Sequence, residues 1–109
     1  MPGAISIYVT CANGDEAKLI ARHLLDKRLV ACANILANVT SLYHWQGEIA
    51  EDVEVALIAK ARATDFDNAA EVIRAHHSYD TPAIMAWPIT AMDEATRAWL
   101  LAETKKGEA

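Results

Sequence analysis

The sequence predicts an α+β sandwich: an antiparallel four-stranded sheet, two helices on one of its faces, and one more helix at the C-terminus. Three observations predict it. Ile5, Ile7, Val9 and Cys11 alternate with Ser6, Tyr8 and Thr10, the period of a strand with one apolar face. Ala17, Ile20, Ala21, Leu24 and Leu25 then recur at helical spacing. The remaining apolar runs complete the order β-α-β-β-α-β, which two split βαβ units give, in the ferredoxin-like manner.

Each element has its own signals. Asn13-Gly14 breaks the first strand, and Asn13 followed by Glu16 forms a capping-box pattern with Asn in place of Ser or Thr. Lys27 and Arg28 sit in the last turn of that first helix, where cations suit the helix dipole. From Val30 to Trp45 the chain reads as extended. The run is too long for one ordinary strand, so a bend or bulge is expected between Asn34 and Asn38. Gln46-Gly47-Glu48 supplies a turn, after which Val53, Val55, Leu57, Ala59 and Ala61 alternate with Glu54, Ile58, Lys60 and Arg62. The second and third strands are therefore expected to form a hairpin.

Thr64-Asp65-Phe66-Asp67 reads as a second capping box, opening a helix with Phe66, Ala69, Ala70 and Ile73 as its buried stripe. His77 lies four residues after Ile73, on or beside that stripe. Pro82 disfavours helical geometry at Thr81, so the helix ends before it. Ala83 to Trp87 reads as a short apolar strand stopped by Pro88. Asp93 to Lys106 forms the final helix, with Met92, Ala95, Trp99 and Ala102 on one face, and the chain from Lys105 to Ala109 is expected to fray.

The 109 residues suit one domain, 1–109. Apolar residues make up 53%, but only seven are Phe, Trp or Tyr. Much of the apolar share is alanine, which supports close packing of helix on sheet, and part of it is expected to be buried against another copy of the chain. A net charge of −5 argues against a general nucleic-acid binder. No apolar stretch approaches a membrane span. The N-terminus, Met1-Pro2-Gly3-Ala4, lacks the pattern of a signal peptide, so the cytoplasm is the expected location. Two cysteines, Cys11 and Cys32, make no disulfide framework and are expected to be thiols. Cys32 reads as a small core residue, as do Trp87 and Trp99 at larger size. Tyr43 and Trp45 share one strand face and are hard to bury within a single chain, which suits a subunit contact better than ligand stacking.

Chemistry concentrates in Ala75-His76-His77-Ser78-Tyr79-Asp80-Thr81-Pro82, which holds two of the four histidines. The ordinary reading is a helix end, with His76 solvated and His77 packed. Tyr79, Asp80 and His77 have the residue types for acid-base work, yet no nucleophile motif, HExxH, phosphate loop or dinucleotide fingerprint accompanies them. No catalytic residues are expected. Asn13-Gly14-Asp15 offers amides to an anion, but Asp15 and Glu16 oppose a phosphate there.

An ordered set of motifs resembles a known family. Val30-Ala31-Cys32-Ala33-Asn34-Ile35 follows the first helix, and Val39-Thr40-Ser41-Leu42-Tyr43-His44-Trp45-Gln46-Gly47 comes next. Glu51-Asp52-Val53-Glu54-Val55, Lys60-Ala61-Arg62, His76-His77-Ser78-Tyr79-Asp80-Thr81-Pro82 and Trp87-Pro88-Ile89 complete it. The chain looks like the CutA divalent-cation tolerance proteins, from about Ile5 to Leu101. The resemblance implies a ferredoxin-like fold assembled as a homotrimer, with the long hairpin strands pairing between subunits. It implies a part in tolerance to copper and other divalent cations, without catalysis. It also implies a copper site, with copper as an accessory rather than an obligatory cofactor, at positions that match Cys11, His76 and His77. One departure stands out: the usual His-Pro-Tyr-Glu pattern reads His77-Ser78-Tyr79-Asp80.

Thiolate and imidazole suit copper or zinc. Cys11, ending the first strand, is expected to approach the end of the second helix. Adjacent helical residues point about 100° apart, so His76 and His77 grip one ion together only where the helix unwinds. Cys11 is the strongest expected ligand, with His77 or His76 as its partner. The alternative implied by the resemblance is a trimeric small-ligand sensor of the PII type, with Trp45 and the Tyr79-Asp80 region lining a cleft between subunits. A structural trimer working through a protein partner is a third reading.

Overall fold

The computed structural model describes residues 3–104. The elements are β1 (Ala4–Cys11), α1 (Gly14–Asp26), β2 (Val30–Trp45), β3 (Glu48–Arg62), a 3₁₀ turn (Ala63–Asp65), α2 (Phe66–His76), β4 (Met85–Ile89) and α3 (Glu94–Glu103). The sheet runs β2-β3-β1-β4, and every neighbouring pair is antiparallel. This is the α+β arrangement that the element order predicts.

The alternation in β1 decides where the core lies. Ile5, Ile7, Val9 and Cys11 point to one face and meet Ala17, Ile20, Ala21 and Leu24 of α1 with Ala69 and Ile73 of α2. The alanines keep the helices close to the strands. Each large side chain buried as fully as Ile7 or Leu24 contributes roughly 1.5–3 kcal/mol. Leu25, expected in the same stripe, is exposed instead.

Asn13 caps α1 with extended geometry, and its side chain accepts from the Glu16 amide. The reciprocal bond of the capping box is displaced by one residue, because Glu16 accepts from the amide of Ala12 rather than that of Asn13. At the other end Arg28 takes a left-handed conformation, φ 57°. Leu29 N–H donates to Leu24 and Arg28 N–H to Leu25, the two bonds of a Schellman stop. Lys27 and Arg28 therefore lie just past the last turn rather than within it.

β2 and β3 form a long arm closed by a two-residue turn. Gln46 and Gly47 both have positive φ, 51° and 83°, the type I′ geometry that matches strand twist and favours glycine. The expected bulge is present. Leu36 faces Ala56 and Val39 faces Glu54, so β2 carries one extra residue at Ala37-Asn38. Asn38 there has φ 62°. A second bulge at Ala31, between Val30 and Cys32, was not expected, and the strand continues through both. Val53 was expected on the buried face but is exposed, because the arm has by then passed beyond the helices.

Three further expectations are corrected. The Thr64-Asp67 capping box does not form; the 3₁₀ turn occupies its place, and Asp65 precedes α2 with no side-chain cap. β4 starts at Met85 and runs through Pro88, which pairs with Ile5. β4 is an edge strand, where a missing N–H is tolerated. The third concerns α3, which buries Leu100 and not the Ala95-Trp99-Ala102 face.

A polar anchor selects that face. Arg62 donates from Nε to Thr104 Oγ1 at 2.8 Å and from its terminal nitrogen to the Leu101 carbonyl at 2.8 Å. Arg62 pairs with Ala4, which points away from α1 and α2, so α3 packs at one end of the sheet's opposite face. Trp87 and Trp99 are each about half exposed rather than core. Trp87 packs against Tyr8 with tilted rings, centroids 5.8 Å apart and planes at 36°. The expected helix end at Lys106 and the fraying of Lys105 to Ala109 lie outside the described residues.

Candidate metal centre

Three chain segments end at one corner of the sandwich. Cys11 is the last residue of β1, on its core face. Glu16 lies in the first turn of α1. His77 is the first residue past α2, and its backbone is extended, φ −89° and ψ 144°. One ligand atom from each of Cys11, Glu16 and His77 lies within 4.8 Å of the other two.

The unwinding separates the two histidines. His76, still helical, stacks on His23 of α1 with ring centroids 3.8 Å apart and planes 8° from parallel. His77 turns the other way. Its Nε2 lies 2.8 Å from the Thr10 carbonyl oxygen, and its Nδ1 accepts from the Tyr79 amide at 3.1 Å. A carbonyl only accepts and an amide N–H only donates, so Nε2 carries the proton and Nδ1 the lone pair. Nδ1 faces Glu16 at 3.7 Å.

Glu16 is held from two sides. One carboxylate oxygen accepts from the Ala12 amide at 2.9 Å and the other from the Ser78 amide at 2.8 Å. Burial alone would raise its pKa. Bonds from the Ser78 hydroxyl, the Ala12 amide and the Ser78 amide, with His77 nearby, outweigh that and hold the carboxyl below its ordinary 4.5. Cys11 has the opposite fate. Burial, helped by the charges of Glu16 and Glu54, pushes its thiol up to about 12. It is protonated at neutral pH, and an ion gains the thiolate only by displacing that proton.

A second carboxylate borders the corner. Glu54 of β3 is buried and accepts from the Tyr79 hydroxyl at 2.6 Å. Burial and this bond hold the Tyr79 phenol above its ordinary range. The Tyr79 ring also lies against His77, centroids 4.6 Å apart. Further along the arm, the Tyr43 hydroxyl donates to Asp52.

Sulfur, imidazole nitrogen and carboxylate oxygen together fit a borderline or soft ion such as zinc or copper. The hydrogen bond from Nε2 to a carbonyl is the usual device that orients a ligating imidazole. Sequence reasoning missed Glu16 as a member, having read it as a helix cap and as a charge that opposes a phosphate. It also read Glu54 as one of the polar residues alternating along β3. Both cysteines are free; Cys32 is half-buried in β2, not fully in the core.

The family model described as CutA1 divalent ion tolerance protein matches residues 5–103. The chain belongs to the CutA1 family. It is 37% identical to the divalent-cation tolerance protein CutA of Thermus thermophilus, over 90% of this chain and 95% of that one. The CutA1 structure from Ehrlichia chaffeensis superposes with a TM-score of 0.89 at 35% identity, covering 96% of this chain and 98% of the other. The periplasmic divalent cation tolerance protein CutA of Archaeoglobus fulgidus gives a TM-score of 0.90 at 35% identity, over 94% and 99%. The chain spans a smaller part of other curated relatives, 56% of the chloroplastic Protein CutA of Arabidopsis thaliana and 50% of the human Protein CutA. The Ser78 N–H makes a bond to Glu16 that a proline at this position could not, because proline has no N–H to give.

Proposed function

We propose that this CutA1 family member serves divalent-cation tolerance as a non-catalytic homotrimer that holds a copper-like ion at Cys11, Glu16 and His77. The convergence of those three ligand atoms within 4.8 Å carries the reading. Of the two adjacent histidines, His77 is the proposed ligand, since His76 is engaged with His23. Cys11 would supply the strongest bond and Glu16 the balancing charge. Two free cysteines suit a reducing cytoplasm, and no helix among the described residues is long and apolar enough to cross a membrane.

Isothermal titration with copper(I) or zinc tests the reading. Cys11→Ser is expected to lower affinity on the order of a hundredfold or more, since soft metals favour thiolate, while His76→Gln leaves it unchanged. Binding releases the Cys11 proton, so the apparent affinity of the wild type is expected to rise about tenfold per pH unit between about pH 6 and 8. An isotherm indifferent to Cys11→Ser sinks the proposal.

A further inference from the structure

His77 has no nitrogen to spare for an ion. Nε2–H is bonded to the Thr10 carbonyl at 2.8 Å, and the single lone pair of Nδ1 is taken by the Tyr79 amide at 3.1 Å. Glu16 is different: its two oxygens carry four lone pairs, and the Ala12 amide, the Ser78 amide and the Ser78 hydroxyl take three of them, which leaves one for an ion. Of the two contacts on His77, the one to Tyr79 is the longer, and Nδ1 is the nitrogen that faces Glu16.

We propose that the Tyr79 amide is an exchangeable plug: an ion entering the site takes Nδ1 of His77 and displaces the Tyr79 N–H, so that metal capture moves the backbone at Tyr79. This inference rests on the metal reading above and specifies how that site is controlled. The amide is one of three tethers on Tyr79. The ring packs against the His77 imidazole, and the hydroxyl bonds to the buried Glu54 at 2.6 Å. Glu54 belongs to β3, near the root of the arm. Displacement of the amide therefore pulls on a tyrosine anchored to a different strand, and the strength of that anchor sets how readily the plug leaves. Tyr79 is a positioning residue here, acting on the ion through His77 and on the arm through Glu54. The bond from Ser78 to Glu16 is left in place, so the exchange hinges between residues 78 and 79.

The test is nuclear magnetic resonance of the ¹⁵N-labelled protein with zinc, which is diamagnetic, alongside zinc titration calorimetry. Zinc is expected to shift the His77 Nδ1 resonance, to leave the proton on Nε2, and to accelerate hydrogen exchange of the Tyr79 amide. Tyr79→Phe, which cuts the anchor to Glu54 but keeps the amide, is expected to raise zinc affinity several-fold. Zinc on Nε2 with the Tyr79 amide still protected overturns the plug while sparing the metal reading. An unchanged or lower affinity for Tyr79→Phe overturns the coupling to Glu54. Failure of the wild type to bind zinc at all, with Cys11→Ser as the matched control, removes the metal reading and this inference together.

Discussion

Glu16 shows how one side chain is recruited twice. Its spacing from Asn13 marks a helix start, and it does stand in the first turn of α1. Its carboxylate, however, reaches the Ala12 amide and the Ser78 amide, 62 residues away. Local spacing reveals the cap and is blind to the distant partner, so Cys11 and His77 were legible as candidates and Glu16 was not. The bonds it gains by folding have a pH signature. Its folded pKa lies below the ordinary 4.5, so its contribution is present above about 4.5 and fades as pH falls through the lower folded value. Glu16→Gln is expected to flatten the fall in melting temperature between about pH 5 and 3; an acid limb as steep as that of the wild type would contradict the bond network. His76 and His77 teach a related lesson. One residue of extended backbone turns neighbours in sequence to different partners, and the proline five residues on shows only that the helix must stop, not where.

The elements were legible wherever one periodic face met one partner. β1, α1 and the body of α2 follow their patterns for that reason. The final helix does not, since both of its faces carry apolar residues and the choice between them is made by Arg62, an anchor from a different strand. Removing that anchor is expected to loosen α3. Arg62→Ala loses two charge-assisted bonds, to Thr104 and to the Leu101 carbonyl, and is expected to cost roughly 1.5–3 kcal/mol. Urea unfolding checks this through a lower midpoint at an unchanged m-value. A midpoint matching the wild type would show that packing of Leu100 alone decides the face. The edge position of β4 was likewise invisible locally, and it is what lets Pro88 remain inside a strand.

At the scale of the whole molecule, the antiparallel sandwich was legible from element order, while the length of the arm was legible only as a strand too long to be an ordinary one. Leu42, Trp45, Ile49 and Val53, each more than 60% exposed, stand on it with their side chains largely uncovered among the described residues. Exposure of this kind is the mark of an association surface, and a trimer is the assembly proposed above. Light scattering at micromolar concentration is expected to give a mass near three times the 11.9 kDa chain, and a single-chain mass would refute it. The extra residue at Ala37-Asn38 has a consequence for that surface. It works as a phase shift in the alternation of β2. Before it, odd-numbered Ala33 and Ile35 pair with Ala59 and Leu57 and look toward the helices. After it, odd-numbered Val39, Tyr43 and Trp45 pair with Glu54, Ala50 and Glu48, on the side of the sheet that carries Tyr8 and Trp87. A single inserted residue thus lets one continuous strand feed its apolar parity to the chain's own core at one end and to the outward side of the sheet at the other.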